Sequence, residues 1–274
     1  MPKILKIGII GCGAIGSSLA KAIVEEFKPE AKISALYDLD AAKSLALSKS
    51  VSVSRKLAVV SMSKLILRSD LVIESASSLC SWEIAKRALS FRRDVMIMSA
   101  GGISGHLKEL NFLAKRNGAR VYVPSGAIAG IDALKAADMG KIMQVTLTTS
   151  KPPGSFAGVK MIADKRIDLK AIVEDKVLFC GPAEKAVKFF PQNINVAAIL
   201  GLAGIGAKKT MVKIIASPQV KTNNHEIEII SRSGKIFTRT ENIPHPDNPK
   251  TSFLAVLSAV AVLKQILTPV RIGT

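Results

Sequence analysis

The chain has 274 residues, of which 48% are hydrophobic, 22% charged and 4% aromatic, and its formal net charge is +18. That balance excludes a disordered chain and allows one large domain or two modest ones with cores of Ile, Val, Leu and Ala. The Lys and Arg residues are spread along the chain without a basic block, and no zinc-finger, helix-turn-helix or RNP-like pattern accompanies them, so no nucleic-acid partner is expected.

Lys6 to Ile10 is a short apolar run, the pattern of a buried parallel strand. It leads into Gly11-Cys12-Gly13-Ala14-Ile15-Gly16 and then a helical pattern through Leu19, Ile23 and Phe27. Ile33 to Tyr37 reads as a second strand ending at Asp38, followed by a polar helical segment from Ala41 to Lys49. Strand patterns recur at Leu71 to Glu74, Val95 to Met98 and Arg120 to Val123. Between them lie a helix from Trp82 to Leu89 and a loop and helix from Gly102 to Asn117. Such regular alternation predicts a doubly wound parallel sheet.

The character changes at Pro124-Ser125-Gly126. A helix from Ile131 to Ala137 precedes a run alternating at period two, Met143 to Thr148, and Lys151-Pro152-Pro153-Gly154 reads as a turn. Further strands are expected at Val212 to Ile215, Glu226 to Ile230 and Lys235 to Thr238, the last two joined by a hairpin at Ser231 to Gly234. Apolar helices are expected at Ile194 to Ala207 and Ser252 to Ile266. The predicted architecture is an α/β Rossmann domain over residues 1–124 and a smaller α+β domain with a mostly antiparallel sheet over 125–249. A helix within 250–274 is expected to pack back on the first domain.

No run reaches the roughly 18 apolar residues that span a bilayer, and Met1-Pro2-Lys3 leads directly into a strand pattern, so neither a membrane span nor a signal peptide is expected. Cys12, Cys80 and Cys180 are odd in number and lack metal-ligand spacing. Free thiols, no metal and a cytoplasmic location follow as expectations.

Gly11, Gly13 and Gly16 fit the dinucleotide fingerprint for physical reasons. One glycine turns tightly out of the strand, the next lets the backbone approach a pyrophosphate, and the last lets helix and strand pack closely. A pyrophosphate would sit at the helix N-terminus, beside Ala14 and Ile15, where unpaired N–H groups and the dipole favour negative charge. Asp38 follows about 20 residues later, the place of the acid that holds the adenosine ribose hydroxyls. A carboxylate there repels a 2′-phosphate and no Arg follows it immediately, which leans toward NAD, with NADP as the alternative. FAD proteins share the fingerprint, but nothing later in the chain resembles a flavin-binding segment.

The second half carries a sharper likeness. Pro124 to Asp132 (PSGAIAGID), Phe190 to Ala198 (FPQNINVAA), Asn224-His225-Glu226-Ile227 and Asn248 to Ser252 (NPKTS) stand in the order and spacing of L-aspartate dehydrogenases. Glu74-Ser75-Ala76-Ser77 and Ser99-Ala100-Gly101-Gly102 agree with that resemblance, which spans almost the whole chain. It implies NAD(P)-dependent conversion of L-aspartate to iminoaspartate, which hydrolyses to oxaloacetate and ammonia or feeds NAD synthesis. It also implies a homodimer built through the second-domain sheet. Carried over by position, His225 is catalytic, and Ser77, Ala127 and Asn195 join the glycine turn and Asp38 in contacting cofactor. Ser150, just before Lys151-Pro152-Pro153, departs from the pattern, standing where a basic residue is expected, which leaves the substrate-carboxylate contact unassigned. A homoserine dehydrogenase or dihydrodipicolinate reductase is the nearest rival, although their lysine or other basic motif in the second domain is not found. A non-catalytic NAD-sensing protein that binds nucleic acid is the rival of another class, resting on charge alone.

The residues read on their own leave His225 open between a structural imidazole at a strand edge and an acid–base group. Amino-acid oxidation needs a proton acceptor near neutrality, and His is the side chain suited to it. Of the other two histidines, His106 is expected to cap a helix or lie at the surface, and His245, between Pro244 and Pro246, to be exposed in a turn. Asn193 and Asn195 read as one helix cap and one ligand contact, with Asn195 as the contact. Lys250 reads equally as a carboxylate ligand or a solvated lysine.

Overall fold

The computed structural model describes residues 3–52, 57–190, 194–246 and 248–273. The chain divides into two compact units, Met1–Pro124 with Val256–Arg271, and Ser125–Ala255 with Ile272–Thr274.

In the first unit, β1 (Leu5–Ile10), α1 (Ala14–Glu26), β2 (Ala31–Tyr37), α2 (Ala41–Val51), α3 (Met62–Arg68), β3 (Leu71–Glu74), α4 (Ser81–Ser90), β4 (Asp94–Ile97), α5 (Leu107–Asn117) and β5 (Val121–Tyr122) follow in order. The strands form a parallel sheet in the order β2-β1-β3-β4-β5. Strands covered on both faces need unbroken apolar runs, and Leu71, Val72 and Ile73 are accordingly buried to within 1%. The chain reverses sheet direction after β2, so the loops leaving β1 and β3 open a crevice at the carboxyl edge, where doubly wound sheets bind ligands. Helix α10 (Phe253–Leu267) lends Ala259 and Leu263 to the core cluster that holds Leu19, Ile23 and Met96.

The second unit contains α6 (Ile131–Asp138), β6 (Ile142–Lys151), α7 (Lys160–Asp164), β7 (Lys176–Pro182), α8 (Ala183–Phe189), α9 (Ile194–Ala203), β8 (Met211–Ala216), β9 (Asn223–Ser231), β10 (Gly234–Asn242), β11 (Pro244–His245) and β12 (Asn248–Ser252). Its main sheet runs β10-β9-β6-β8-β7, antiparallel throughout except for the parallel pair β6 and β8. Alternation fixes its buried face: Val145, Leu147 and Thr149 on β6, and His225, Ile227 and Ile229 on β9.

Several local readings change. β6 runs through Lys151, and the turn starts only at Pro152, which has no N–H to continue the ladder. Residues up to Ser252 are strand, so the last helix begins at Phe253. His245 is 4% exposed, because β11 pairs with β12 and sets its ring edge-to-face on Phe253 at 5.5 Å. His106 keeps the expected place at the N-cap of α5 with its side chain 41% exposed, but it makes no side-chain cap bond and its ring stacks on Trp82 at 4.2 Å. β7, with Gly181 and Pro182 inside it, has no counterpart in the sequence reading. No helix among the described residues is long and apolar enough to cross a membrane.

Candidate active site

The glycine turn meets each requirement of the fingerprint separately. Gly11 adopts φ +96°, and a Cβ there would lie 2.6 Å from the backbone of Ser75 and Ala76. A Cβ on Gly16 would lie 2.0 Å from the Gly11 carbonyl oxygen, so only glycine lets α1 start this close to β1. Gly13 is different: nothing lies within 4 Å of where its Cβ would be. That open space at the N-cap of α1 fits the pyrophosphate of a dinucleotide, facing the unpaired N–H groups of Ala14, Ile15 and Gly16.

Asp38 closes the other side of the same crevice. The Cys12 N–H donates to Asp38 Oδ2 at 2.7 Å and the Asp40 N–H donates to Oδ1 at 2.9 Å, which fixes the carboxylate at the end of β2. A cavity of about 300 Å³ lies between the turn and this acid, lined among others by Gly11, Gly13, Asp38, Ser77 and Cys80. Its size suits part of a dinucleotide. Cys12 is buried beneath it, and burial together with the Asp38 charge pushes its thiol up to about 12, so it is an inert packing residue.

Glu74 was read from sequence only as part of a likeness, and the structure gives it a task. Its carboxylate is wholly buried and accepts from the Ala76 N–H (2.9 Å), the Ser99 N–H (3.0 Å) and the Ser99 hydroxyl (2.9 Å). Burial raises its pKa, against the opposing pull of those donors. One side chain thereby ties the Ser75–Ser77 loop of the cofactor crevice to the loop after β4.

In the second unit, His225 is 4% exposed and lies directly across from Thr149 in the β6–β9 register. Its Nδ1 is 3.0 Å from Thr149 Oγ1. In the tautomer whose Nδ1–H donates to that hydroxyl, Nε2 keeps a lone pair to accept a proton. Lys151 stands two residues along β6 on the same face. Burial first, and the Lys151 charge second, push the imidazole down to about 3, so it is neutral at working pH. Lys151 itself is pushed down to about 8 by burial. Neither Thr149 nor Lys151 was singled out from sequence as part of the site; only the strand register brings them beside the histidine.

Ala127 is buried, and its carbonyl accepts from Thr240 Oγ1 and Asn242 Nδ2, both at 3.0 Å. These bonds lay the Gly126–Gly130 loop on β10, the strand that flanks His225 on its other side. Asn195 is exposed in the first turn of α9. Asn193 lies outside the described residues, as does the side chain of Lys250.

The chain matches two family models: a homoserine dehydrogenase NAD-binding domain over residues 11–124 and an aspartate dehydrogenase C-terminal domain over residues 132–266. It is 45% identical over 272 residues to an L-aspartate dehydrogenase of Methanosarcina barkeri, covering 98% of this chain and 100% of that protein. Among solved structures, aspartate dehydrogenase from Thermotoga maritima matches with TM-score 0.73 and 27% identity, over 99% of this chain and 100% of that one. A homoserine dehydrogenase from Thiobacillus denitrificans shares the fold, with TM-score 0.64 and 12% identity over 97% of this chain and 73% of that one.

Proposed function

The chain belongs to the L-aspartate dehydrogenase family, and on that premise we propose that it oxidises L-aspartate with a nicotinamide nucleotide, using His225 as its acid–base group. The observation that carries the activity is the likeness to L-aspartate dehydrogenases along nearly the whole chain. The first unit is an NAD-binding Rossmann domain. Gly11, Gly13, Gly16, the N-terminus of α1, Ser77 and Asp38 would hold the nucleotide, which when bound supplies the hydride acceptor. Ala127 and Asn195 are proposed as further contacts to it.

Aspartate must lose a proton from its ammonium group and a hydride from Cα to become iminoaspartate. Water then adds to the imine, and ammonia leaves to give oxaloacetate. A neutral imidazole with a free Nε2 lone pair suits both proton steps, taking one from the ammonium group or the attacking water and returning it to the departing nitrogen. His225 is uncharged at working pH because burial first and its cationic neighbour second push it down to about 3, below the near-neutral titration expected of an unperturbed imidazole.

NAD is proposed as the preferred nucleotide, supported by the fixed Asp38 carboxylate. Asp38→Ser should lower the ratio of kcat/KM for NAD to that for NADP by about ten- to hundredfold, the worth of one charged hydrogen bond. The ratio cancels any general loosening of the turn through the lost Cys12 bond. An unchanged ratio would take Asp38 out of the ribose site.

A homodimer through the outer face of the second sheet is also proposed. That face carries Phe237, 59% exposed, beside the ion pairs Lys235–Glu228 and Arg239–Glu226. Apolar surface within a polar rim suits a subunit contact.

The activity is tested by offering a panel of amino acids with each nucleotide and following reduction by absorbance. Aspartate should be turned over and homoserine should not; homoserine turnover would favour the rival dehydrogenase.

A further inference from the structure

We infer that Glu74 is a positioning residue for the nicotinamide half of the bound nucleotide, holding the loops after β3 and β4 together as one floor beneath it. The inference rests on the nucleotide site proposed above and is independent of which amino acid is oxidised.

The strand order fixes which half of the nucleotide meets which loops. Asp38, at the end of β2, takes the adenosine ribose, and the glycine turn after β1 takes the pyrophosphate. β3 and β4 lie on the other side of β1 from β2. A dinucleotide extended across the carboxyl edge of the sheet therefore brings its nicotinamide half over the loops that leave β3 and β4. Ser77, in the first of these loops, lines the cavity that Gly13 and Asp38 also line.

Those two loops are locked together with Glu74 at the centre. Its Oε1 accepts from the Ala76 N–H in one loop and from the Ser99 hydroxyl in the other, while Oε2 accepts from the Ser99 N–H. Ser81 Oγ adds a bond to the Ser99 carbonyl at 3.1 Å. A Cβ on Gly102 would overlap the Ser78 carbonyl oxygen and the Ser81 hydroxyl, so the loops touch where only glycine fits. At its other end the first loop is tied to the glycine turn, because Ser75 Oγ donates to the Gly11 carbonyl at 2.8 Å. The pyrophosphate turn and both loops form one connected floor.

Each of these partners donates to Glu74, so the link requires two acceptor oxygens, which an ionised carboxylate supplies. Burial raises its pKa, and donation from Ser99, Ala76 and Ser77 opposes the rise. Glutamine has nearly the same shape but must set an NH2 group against at least one of the donors. Glu74→Gln therefore loosens the tie between the loops without opening a cavity in the core. The effect should be felt by the nicotinamide half above those loops and not by the adenosine half, which the end of β2 holds.

The test titrates two ligands into the full-length protein by calorimetry: reduced NAD, and ADP-ribose, which lacks the nicotinamide. The wild type should bind reduced NAD more tightly. In Glu74→Gln its affinity should fall about tenfold, the cost of one buried donor left unpaired, while ADP-ribose affinity stays within about twofold. Ser99→Ala removes only the hydroxyl bond and should shift reduced NAD in the same direction by less; it decides alone if the glutamine variant does not fold. Equal losses for both ligands, together with a lower melting temperature, would make Glu74 a purely structural residue and overturn the inference. So would wild-type affinity for reduced NAD in both variants. A wild type that binds neither ligand would count against the nucleotide site and this inference together. A wild type that shows the expected split but leaves aspartate unoxidised would count against the proposed reaction and leave the role of Glu74 standing.

Discussion

His225→Ala is expected to lower kcat for aspartate by about 10²- to 10⁴-fold, the usual worth of a positioned acid–base group. Nucleotide affinity should survive, because the glycine turn and Asp38 belong to the other unit. The mutation also has a pH signature. The imidazole is pushed down from 6.5 to about 3 in the folded chain, so between those values the unfolded chain binds the extra proton. Its contribution to stability is full above pH 6.5 and is lost as the pH falls toward 3; the alanine variant lacks that component of acid sensitivity. A structural imidazole would give the reverse pattern, with a lower melting temperature and nearly wild-type activity per folded molecule. Measuring kcat, nucleotide affinity and melting temperature on one preparation distinguishes the two.

Gly16→Ala should weaken nucleotide binding about ten- to hundredfold, since overpacking of this kind costs about 1–3 kcal/mol. The new Cβ would lie 2.0 Å from the Gly11 carbonyl oxygen and 2.8 Å from Ser75 Oγ, and the turn must move. Gly13→Ala is its control. Nothing within 4 Å meets a Cβ there, so its melting temperature should match the wild type while the nucleotide loses its close approach. Titrating reduced nucleotide by fluorescence and melting both variants reads the difference. Wild-type affinity in Gly13→Ala would remove the second glycine from the pyrophosphate site.

The cofactor half of the molecule was legible because its signals are local. Apolar runs such as Leu71 to Ile73 report strands buried on both faces, and the three glycines and Asp38 lie within one βαβ stretch. The catalytic half was legible only in part. His225 stood out through its motif, but Thr149 and Lys151 join it through antiparallel register, which no local pattern encodes. Lys151-Pro152-Pro153-Gly154 read as a turn because prolines punctuate, yet the strand reaches Lys151 before the first proline stops it. His245 misled in a similar way: flanking prolines suggested an exposed turn, and the pairing of β11 with β12 buried it. Glu74 gave no chemical signal at all, since a buried carboxylate satisfied by backbone N–H groups looks in sequence like any strand-end acid.

The most direct measurement follows the hydride itself. Aspartate carrying deuterium at Cα is incubated with the wild-type protein and oxidised nucleotide, and the reduced nucleotide is analysed by mass spectrometry. The expected result is one deuterium in each reduced nucleotide, with oxaloacetate and ammonia formed in equal amounts. Reduced nucleotide without deuterium, or no reduction by aspartate under conditions where the nucleotide binds, would contradict the proposed reaction.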